Sequence, residues 1–341
     1  MPTIAINGFG RIGRNVFKAG LGKPGFNVVA VNDLTDTRTL AHLLKHDTMY
    51  RTFDHQVSYD DTRVIVDGRK IAVVAEKDPK MLPWKKMKID IVLECTGRFA
   101  DLEGASQHIT AGAKRVIISA PAKGGVPTHV IGVNEKTAGK SAAVINNASC
   151  TTNCITPVAA IIESAFGIKK AMMTTIHSYT AEQNLVDGPP PGLKSGDLRR
   201  ARAAGQNIIP TTTGAAIATT EVIPSLKGLF DGLAIRVPTA VGSLSDFTFL
   251  LKKKTTVEQV NQAFVKASKN PLWKGIVEVT NEQLVSSDFI GNSASAIVDL
   301  SLTKVIDGDF LKIIAWYDNE WGYSHRLAEM ALIVGKSITK R

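Results

Sequence analysis

The 341-residue chain is poor in cysteine and has no long apolar run. Three cysteines are too few, and odd in number, for a disulfide framework, which favours a reducing cytoplasm. No apolar run approaches the roughly 18–20 residues of a membrane-spanning helix, so we expect no membrane association. The opening MPTIAINGFG lacks the basic segment and apolar block of a secretory signal. We also find no internal repeat and no low-complexity linker.

Net charge is the feature of the composition that indicates a class of ligand. Lys and Arg number 41 against 31 Asp and Glu, which gives a formal net charge of +10. The basic residues are scattered, and the densest runs, LKKKT and PWKKMK, are short and match no nucleic-acid-binding motif. We therefore expect a basic surface suited to anionic small molecules, and no nucleic-acid partner. The length favours two domains, because one hydrophobic core rarely extends this far.

A glycine motif near the start predicts a dinucleotide site. The stretch PTIAING indicates a strand, and Gly8, Gly10 and Gly13 then form G-x-G-x-x-G at the start of a helical pattern. Such glycines provide a tight turn, close approach of a pyrophosphate and close helix–strand packing. A second strand, NVVAVND, ends at Asp33, where a carboxylate either binds the adenosine ribose or caps a loop. Because a carboxylate there repels a 2′-phosphate, the pattern favours NAD over NADP.

Further apolar runs alternate with helical or turn-rich segments, at 89–97, 114–121 and 142–149. This alternation predicts an α/β fold, a Rossmann-type doubly wound parallel sheet whose ligands bind beyond the carboxyl ends of the strands. Thr96 and Ser119 lie at two such ends, so each either lines the cofactor crevice or belongs to an ordinary turn. We interpret Cys95, inside an apolar run, as a core residue.

Cys150 and Cys154 raise a choice between a disulfide, a metal site and a nucleophile. The residues after Cys150 show helical spacing, and positions i and i+4 of a helix hold their Cβ atoms about 5–6 Å apart, whereas a disulfide needs about 3.5–4.5 Å. A zinc site needs about four ligands, which the sequence does not offer, so we expect no metal. A thiol in the first helical turn has its pKa lowered by the dipole and the free N–H groups. We therefore predict that Cys150 is the nucleophile and that Cys154 packs in the core.

A base for this thiol is available at His177. The β-rich stretch IKKAMMTTIH ends at His177, and a strand that returns after the Cys150 helix can bring that end near the thiol. A histidine at a strand end is often structural. Its occurrence together with a cysteine at a helix start and a dinucleotide fold favours a base that activates Cys150.

The motifs as a set resemble a known family. They are INGFGRIGR, VVAVNDLTD, ECTGRF, VIISAPAK, NASCTTNC, MMTTIHSYT, LRRARAA, IIPTTTGAA, RVPT and WYDNEWGYSHR. Their order and spacing, from residue 3 to about 330, are similar to those of phosphorylating glyceraldehyde-3-phosphate dehydrogenases. The resemblance implies an oxidoreductase of glycolysis or gluconeogenesis that converts glyceraldehyde 3-phosphate to 1,3-bisphosphoglycerate with NAD and inorganic phosphate, through a cysteine thioester. It also implies a cytoplasmic homotetramer.

The resemblance further implies a domain organisation and residue roles. An NAD-binding domain (1–149) precedes an α+β catalytic domain with a mostly antiparallel sheet (150–317), and a C-terminal helix (318–341) returns to the first domain. Cys150 attacks the aldehyde and His177 takes the proton. Other cofactor contacts fall to Arg11 and Ile12 at the pyrophosphate, Lys77 on the adenine side, and Asn319 and Tyr323 at the nicotinamide. The substrate phosphate and the attacking phosphate are held by Ser149, Thr151, Thr180, Arg202, Thr213, Gly214 and Arg236.

The chain departs from the family pattern in two places and leaves two alternatives open. The segment from Asp187 to Asp197 is about five residues longer than one common form, which affects the expected cofactor site and subunit interface. Glu182 stands where some relatives carry Asp beside the substrate phosphate. One alternative is erythrose-4-phosphate dehydrogenase, which shares the Cys–His pair but hydrolyses its thioester, and the phosphate-site residues argue against it. The other is a second role in binding nucleic acid.

Overall fold

The computed structural model describes residues 1–189 and 197–338, so most of the long segment between Asp187 and Asp197 lies outside the described residues. The chain divides into two compact units, one of residues 1–149 with the chain from Ser324 onward, the other Cys150–Tyr323. Within the described ranges no helix is long and apolar enough to cross a membrane. The expected domain boundaries at 149/150 and 317/318 stay a prediction, because compactness alone assigns no function to a unit.

The first unit is built on one eight-stranded sheet. Its strands are β1 (Thr3–Asn7), β2 (Asn27–Asn32), β5 (Val57–Asp60), β6 (Arg63–Val66), β7 (Arg69–Val74), β8 (Ile91–Glu94), β9 (Arg115–Ile118) and β10 (Val144–Asn146), and β3 (His46–Asp47) and β4 (Arg51–Thr52) form a separate pair. Helices α1 (Arg11–Gly20), α2 (Thr37–Lys45) and α3 (Leu102–Thr110) belong to the same unit. The strand order is β10-β9-β8-β1-β2-β7-β6-β5. Pairing is parallel from β10 to β7, which confirms the predicted Rossmann-type sheet.

One part of this sheet differs from the expectation. The chain between Asp33 and the run at 89–97, for which no strand is predicted, contains β5, β6 and β7, and β6 pairs antiparallel with both of the others. Alternating burial in β6 shows why these residues form a strand, since Val64 and Val66 are buried on one face. The predicted strands themselves are present and shorter than the apolar runs that indicated them.

The core of the first unit holds the parallel strands in place. Val92, Val116 and Val144, from three neighbouring strands, pack in one buried cluster with Trp84, which has no exposed surface. Burying side chains of this size stabilises a fold by roughly 1.5–3 kcal/mol each. The carboxyl ends of β1, β2 and β8, where the dinucleotide motif lies, are therefore anchored on a rigid support.

The second unit contains a mixed sheet and three helices of its own. The elements are α4 (Cys150–Phe166), β11 (Ile168–Ser178), β12 (Ile209–Thr212), α5 (Ala215–Val222), β13 (Phe230–Val237), β14 (Ser243–Leu251), α6 (Val257–Lys269), β15 (Val277–Thr280), β16 (Ala296–Asp299), β17 (Lys304–Ile306) and β18 (Phe310–Tyr317). The order is β12-β13-β11-β14-β18-β16-β15, with β17 beside β18. Only the β11–β13 and β15–β16 pairs among these are parallel, which confirms the mostly antiparallel sheet. Helix α7 (Trp321–Ile338) starts in this unit and continues in the first.

The centre of this second sheet carries the reactive residues. Every second residue of β14 is buried, and Phe247 and Phe249 stack with ring centroids 5.5 Å apart. Helix α4 packs on β14 and β16, so its first residue, Cys150, is positioned from the core of the unit. Strand β11 ends at Ser178, beside Cys150, and this end is where the candidate chemistry lies.

Candidate active site

The three glycines of the motif meet three separate structural demands in the first unit. Gly8 has φ +89°, and a Cβ atom on it would lie 2.8 Å from the backbone N of Thr96. A Cβ on Gly13 would lie 2.1 Å from the carbonyl oxygen of Gly8, so α1 can approach β1 only with glycine there. A Cβ on Gly10 would meet nothing within 4 Å and would project into open space. These properties fit a turn, a packing contact and an approach path for a pyrophosphate.

A crevice of about 330 Å³ adjoins the glycine turn, lined in part by Gly8, Gly10, Asn32, Asp33, Lys77 and Thr96. Asp33 Oδ2 accepts a hydrogen bond from the backbone N of Phe9 at 2.8 Å, and its Oδ1 accepts from Thr35 N at 3.1 Å. These bonds fix the carboxylate at the end of β2, next to the glycine turn. A dinucleotide with a free ribose 2′-hydroxyl matches such an acceptor, so the residues present fit NAD.

Other predicted cofactor residues of this unit lie around the start of α1 and the end of β9. Arg11 and Ile12 form the first turn of α1, but the Arg11 guanidinium pairs with Asp47 at 2.6 Å. The guanidinium is therefore held by a carboxylate of the same unit. Ser119 follows β9, and its side chain hydrogen-bonds the thiol of Cys95, whose pKa burial raises well above its ordinary value. Cys95 follows β8, is half-buried and lines the same crevice, so the expectation of a core residue within a strand is wrong.

The backbone that leads to Cys150 is strained. Ala148 has φ +55°, an uncommon conformation for a residue with a Cβ atom, and its N–H donates to Asn146 Oδ1 at 2.9 Å. Ser149, which is half-buried, follows, and α4 begins at Cys150 itself. The turn therefore places the thiol at the N-terminus of α4, where the helix dipole favours the negative charge of an oxyanion.

Cys150 and His177 form a hydrogen-bonded pair within the second unit. The distance from Cys150 Sγ to His177 Nε2 is 3.4 Å. His177 Nδ1 lies 2.6 Å from the carbonyl oxygen of Ser178, which only accepts, and 3.2 Å from Arg236 Nη1, which only donates. Because the contact with the carbonyl is much the shorter, we place the ring proton on Nδ1, which donates it to Ser178 O. Nε2 is then unprotonated and accepts the thiol proton. The geometry is that of a nucleophile with its general base.

The resting pair is neutral. Burial, followed by the nearby positive charges of Arg236 and Arg200, lowers the pKa of His177 to about 3. Burial also raises the pKa of the Cys150 thiol, against the opposing effects of Arg236 and the Thr151 hydrogen bonds. The expectation of a lowered thiol pKa is therefore wrong for the resting site, because burial outweighs the helix terminus. The thiol loses its proton to His177 only as it attacks.

Two arginines converge beside this pair. Arg236 lies directly opposite His177 in the β11–β13 register, and its Nη1 donates to Ser178 O at 3.0 Å and to Thr180 Oγ1 at 3.2 Å. Its Nη2 and Arg200 Nη1 both bind Glu182 Oε1, at 3.1 and 2.9 Å. A carboxylate held by two guanidinium groups shows that this position accepts an anion.

Arg200 was missed by the sequence analysis, and Arg202 lies elsewhere. The structure does not bring Arg202 into the arginine cluster, because its exposed guanidinium pairs with Asp187 at 2.6 Å. Arg200 is mostly buried and also donates to Thr211 Oγ1 at 2.9 Å and to Thr212 O at 3.1 Å. The two arginines differ by two positions in one short segment, and the sequence gives no signal that separates them.

The remaining predicted residues occupy distinct positions in the second unit. Thr151 is buried, with its hydroxyl 3.0 Å from that of Tyr317, so the structure ties its side chain to the core. Thr213 and Gly214 precede α5, and Thr213 Oγ1 accepts from Ala215 N at 3.2 Å. Asn319 Oδ1 accepts from Gly242 N and Ser243 Oγ, which fixes its amide, and Tyr323 is buried.

Cys154 has the surroundings of a packing residue. It is fully buried one helical turn after Cys150. None of the three cysteines, Cys95 included, forms a disulfide. Burial raises the pKa of the Cys154 thiol well above its ordinary value. Within residues 1–189 and 197–338 no group of three or more His, Cys, Asp or Glu side chains is arranged to hold a metal ion.

The fold and this site define an NAD-dependent oxidoreductase that acts on an aldehyde group. Comparison with known proteins specifies the family: residues 2–102 match the glyceraldehyde 3-phosphate dehydrogenase NAD-binding domain, and residues 149–319 match the C-terminal domain of the same family. The chain is 51% identical over 332 residues to glyceraldehyde-3-phosphate dehydrogenase of Geobacillus stearothermophilus, covering 97% of each chain. It is 49% identical over 334 residues to that of Borreliella burgdorferi, covering 96% of this chain and 98% of the relative. The chain belongs to the glyceraldehyde-3-phosphate dehydrogenase family.

Proposed function

We propose that this protein oxidises glyceraldehyde 3-phosphate to 1,3-bisphosphoglycerate through a thioester on Cys150. The observation that carries the proposal is the 3.4 Å contact from Cys150 Sγ to the unprotonated Nε2 of His177, beside the anion-binding arginines. In the first step Sγ bonds to the aldehyde carbon while His177 Nε2 takes the thiol proton, which gives a thiohemiacetal. The α4 N-terminus stabilises the oxyanion that forms.

The second half-reaction uses the same residues. NAD, when bound in the crevice of the first unit, supplies the acceptor for the hydride that the oxidation releases. His177 first returns the thiol proton to the oxyanion, which gives the thiohemiacetal hydroxyl. It takes this proton again as the thioester forms, and it supplies the proton that restores the thiol when the C–S bond breaks. An oxygen of inorganic phosphate then attacks the thioester carbon, the C–S bond breaks, and the Cys150 thiol is restored.

The arginine cluster is the proposed site for the two phosphates. Arg236 with Thr180 suits the substrate phosphate, and we assign to Arg200 the anion-binding role that the resemblance gave to Arg202, since Arg200 faces the cluster. Ser149, Thr213 and Gly214 complete the attacking-phosphate site in this proposal. Arg is suited to both tasks because its planar group binds two oxyanion oxygens at once.

Assembly and location are further parts of the proposal. We place the protein in the cytoplasm as a homotetramer, as the family resemblance implies. Several apolar side chains of the second unit are exposed in the single chain, among them Leu185 (85%), Leu198 (75%) and Ile208 (71%), which supports burial by partner subunits. Light scattering coupled to size-exclusion chromatography tests this, and a monomer at micromolar concentration would contradict it.

The decisive experiment is a steady-state assay of NADH formation from glyceraldehyde 3-phosphate with and without inorganic phosphate. Phosphate-dependent turnover is expected, because only phosphate attack gives the acyl phosphate. Turnover of equal rate without phosphate would indicate hydrolysis of the thioester and would contradict the proposal. The same assay with NADP in place of NAD tests the role of Asp33, and a strong preference for NAD is expected.

A further inference from the structure

A network of hydrogen bonds adjoins the dinucleotide crevice, and none of the steps on Cys150 and His177 uses it. Its centre is the pair Glu94 and His108, whose side chains are fully buried. Glu94 is the last residue of β8, and His108 lies on α3. Burying a carboxylate away from water costs folding free energy unless hydrogen bonds compensate for the lost hydration. The partners of Glu94 therefore show what this cost maintains.

The proton positions in this pair follow from Trp84. The indole Nε1–H of Trp84 lies 3.0 Å from His108 Nδ1, and an indole N–H can only donate. His108 Nδ1 is therefore the acceptor and carries no proton. The ring proton is on Nε2, which donates to Glu94 Oε2 at 3.0 Å. His108 thus acts as a fixed donor that orients the carboxylate.

The Glu94 carboxylate accepts hydrogen bonds from two residues that line the crevice. Its Oε2 also accepts from Asn7 Nδ2 at 2.5 Å. Its Oε1 accepts from the backbone N of Thr96 at 2.8 Å and from the Thr96 hydroxyl. Asn7 and Thr96 both line the crevice. The two carboxylate oxygens therefore hold two crevice residues that belong to neighbouring strand ends.

The chain of bonds continues from Asn7 across the sheet. Asn7 Oδ1 accepts from Asn32 Nδ2 at 2.6 Å. Asn32 in turn donates to Glu76 O and accepts from Glu76 N, both at 2.9 Å. The segment so fixed leads directly to Lys77, another crevice residue. The carboxyl ends of β8, β1 and β2, adjacent in the sheet, are thereby tied by one network.

We propose that Glu94 is a positioning residue for NAD, which holds the Thr96 turn and the Asn7 amide in the arrangement the cofactor requires. Close packing explains how it acts at a distance from the ligand. A Cβ on Gly8 would lie 2.8 Å from Thr96 N, so the Thr96 turn and the glycine turn are in direct contact. Any shift of Thr96 is therefore transmitted to the residues that approach the pyrophosphate.

The test is calorimetric measurement of the Kd for NAD in the full-length Glu94→Gln variant. The glutamine side chain would place an N–H donor opposite N–H and O–H groups that now donate to the carboxylate, so hydrogen bonds are lost. The Kd for NAD should therefore rise about tenfold or more. The matched control is Asp90→Asn, the same change at the opposite end of β8, where Asp90 accepts from Thr3 N at 2.8 Å and pairs with Lys114 at 2.8 Å. That variant should bind NAD within about twofold of the parent.

A second pair of variants keeps the proposal testable if Glu94→Gln does not fold. Glutamine at position 108 offers a donor to Glu94 and an acceptor to Trp84, as the neutral imidazole does, whereas phenylalanine offers neither. We expect His108→Gln to bind NAD within about threefold of the parent, and His108→Phe about tenfold more weakly. Equal affinities of these two variants would overturn the proposal. So would parental affinity in a folded Glu94→Gln, or a loss of the same size in Asp90→Asn.

Discussion

Cys150 and Cys154 lie one turn apart on α4, and their surroundings differ more than their spacing suggests. Cys150 faces the unprotonated nitrogen of His177, while Cys154 is fully buried with no base at its sulfur in the described contacts. Cys150→Ser should lower kcat by about 10³-fold or more, because the alcohol is a far weaker nucleophile with this base. Cys154→Ser should keep activity within about threefold. Steady-state NADH formation measures both.

The control for this comparison is the Kd for NAD, which neither substitution should change by more than about twofold. Equal loss of activity in the two variants would contradict the assignment of Cys150 as the nucleophile. Loss of NAD binding in Cys150→Ser would show that the variant has damaged more than the thiol.

His177 predicts a specific dependence of stability on pH. The pKa of its folded form is about 3, against about 6.5 when unfolded, so between these values the unfolded chain binds more protons. Its contribution to stability is complete above pH 6.5 and is lost as the pH falls through this window. Between pH 6.5 and 5 the loss amounts to roughly 1.5 kcal/mol. Thermal unfolding of His177→Asn should therefore show a smaller decrease in Tm over that range than the parent.

Two other histidines serve as an internal reference for this measurement. Burial lowers the pKa of His129 and, to about 4, that of His325, and both remain in the variant. Their effect on the Tm is common to both proteins, so the difference isolates His177. Parallel Tm profiles for the parent and His177→Asn would contradict a neutral, buried His177.

At the scale of elements, the strand–turn–helix unit of β1 and α1 separates two glycine functions. Gly13→Ala places a Cβ 2.1 Å from Gly8 O, which should destabilise the first unit by about 1–3 kcal/mol and weaken NAD binding. Gly10→Ala meets no protein atom within 4 Å, so it should keep the parental Tm within a few degrees and still weaken NAD binding. Tm without ligand and the Kd for NAD distinguish the two cases.

The same changes in Tm and in the Kd for NAD in both variants would contradict these separate roles of Gly10 and Gly13. If Gly10→Ala lowered the Tm as much as Gly13→Ala, the open space beside Gly10 would not exist in solution. If Gly10→Ala bound NAD as the parent does, the pyrophosphate would not pass over that position.

Elements were predictable from the sequence where periodicity and turn chemistry agreed. The β1–α1 unit, β2 and β11 were predicted, since apolar runs end there at glycine or polar residues. Strands β5 to β7 were not, because each is short and only half-buried, and its alternation resembles that of a surface loop. Strand pairing, which no local pattern records, decides their conformation: β7 pairs with β2, β6 with β7 and β5 with β6.

Side-chain direction was the part of the site that the sequence could not supply. Arg200 and Arg202 are equally basic, and the difference arises because Arg200 faces Thr211 on β12 whereas Arg202 pairs with Asp187. The carboxylate of Glu182 between the two arginines is likewise set by the fold. The pKa of Cys150 was misjudged for a related reason: the helix terminus is visible in the sequence, but the extent of burial is not.

At the scale of the whole molecule, the excess of basic residues predicts how activity responds to salt. A net charge of +10 attracts an anionic substrate over distances comparable to the Debye length, which shortens to about 7 Å at 0.2 M salt. Raising the ionic strength from about 20 to about 200 mM should lower kcat/KM for glyceraldehyde 3-phosphate by about threefold to tenfold. Unphosphorylated glyceraldehyde, a neutral aldehyde that meets the same Cys150, should lose less than about twofold. An equal decrease for the two aldehydes would show that salt acts on the chemistry or on the fold, and that the surface charge has no role in substrate capture.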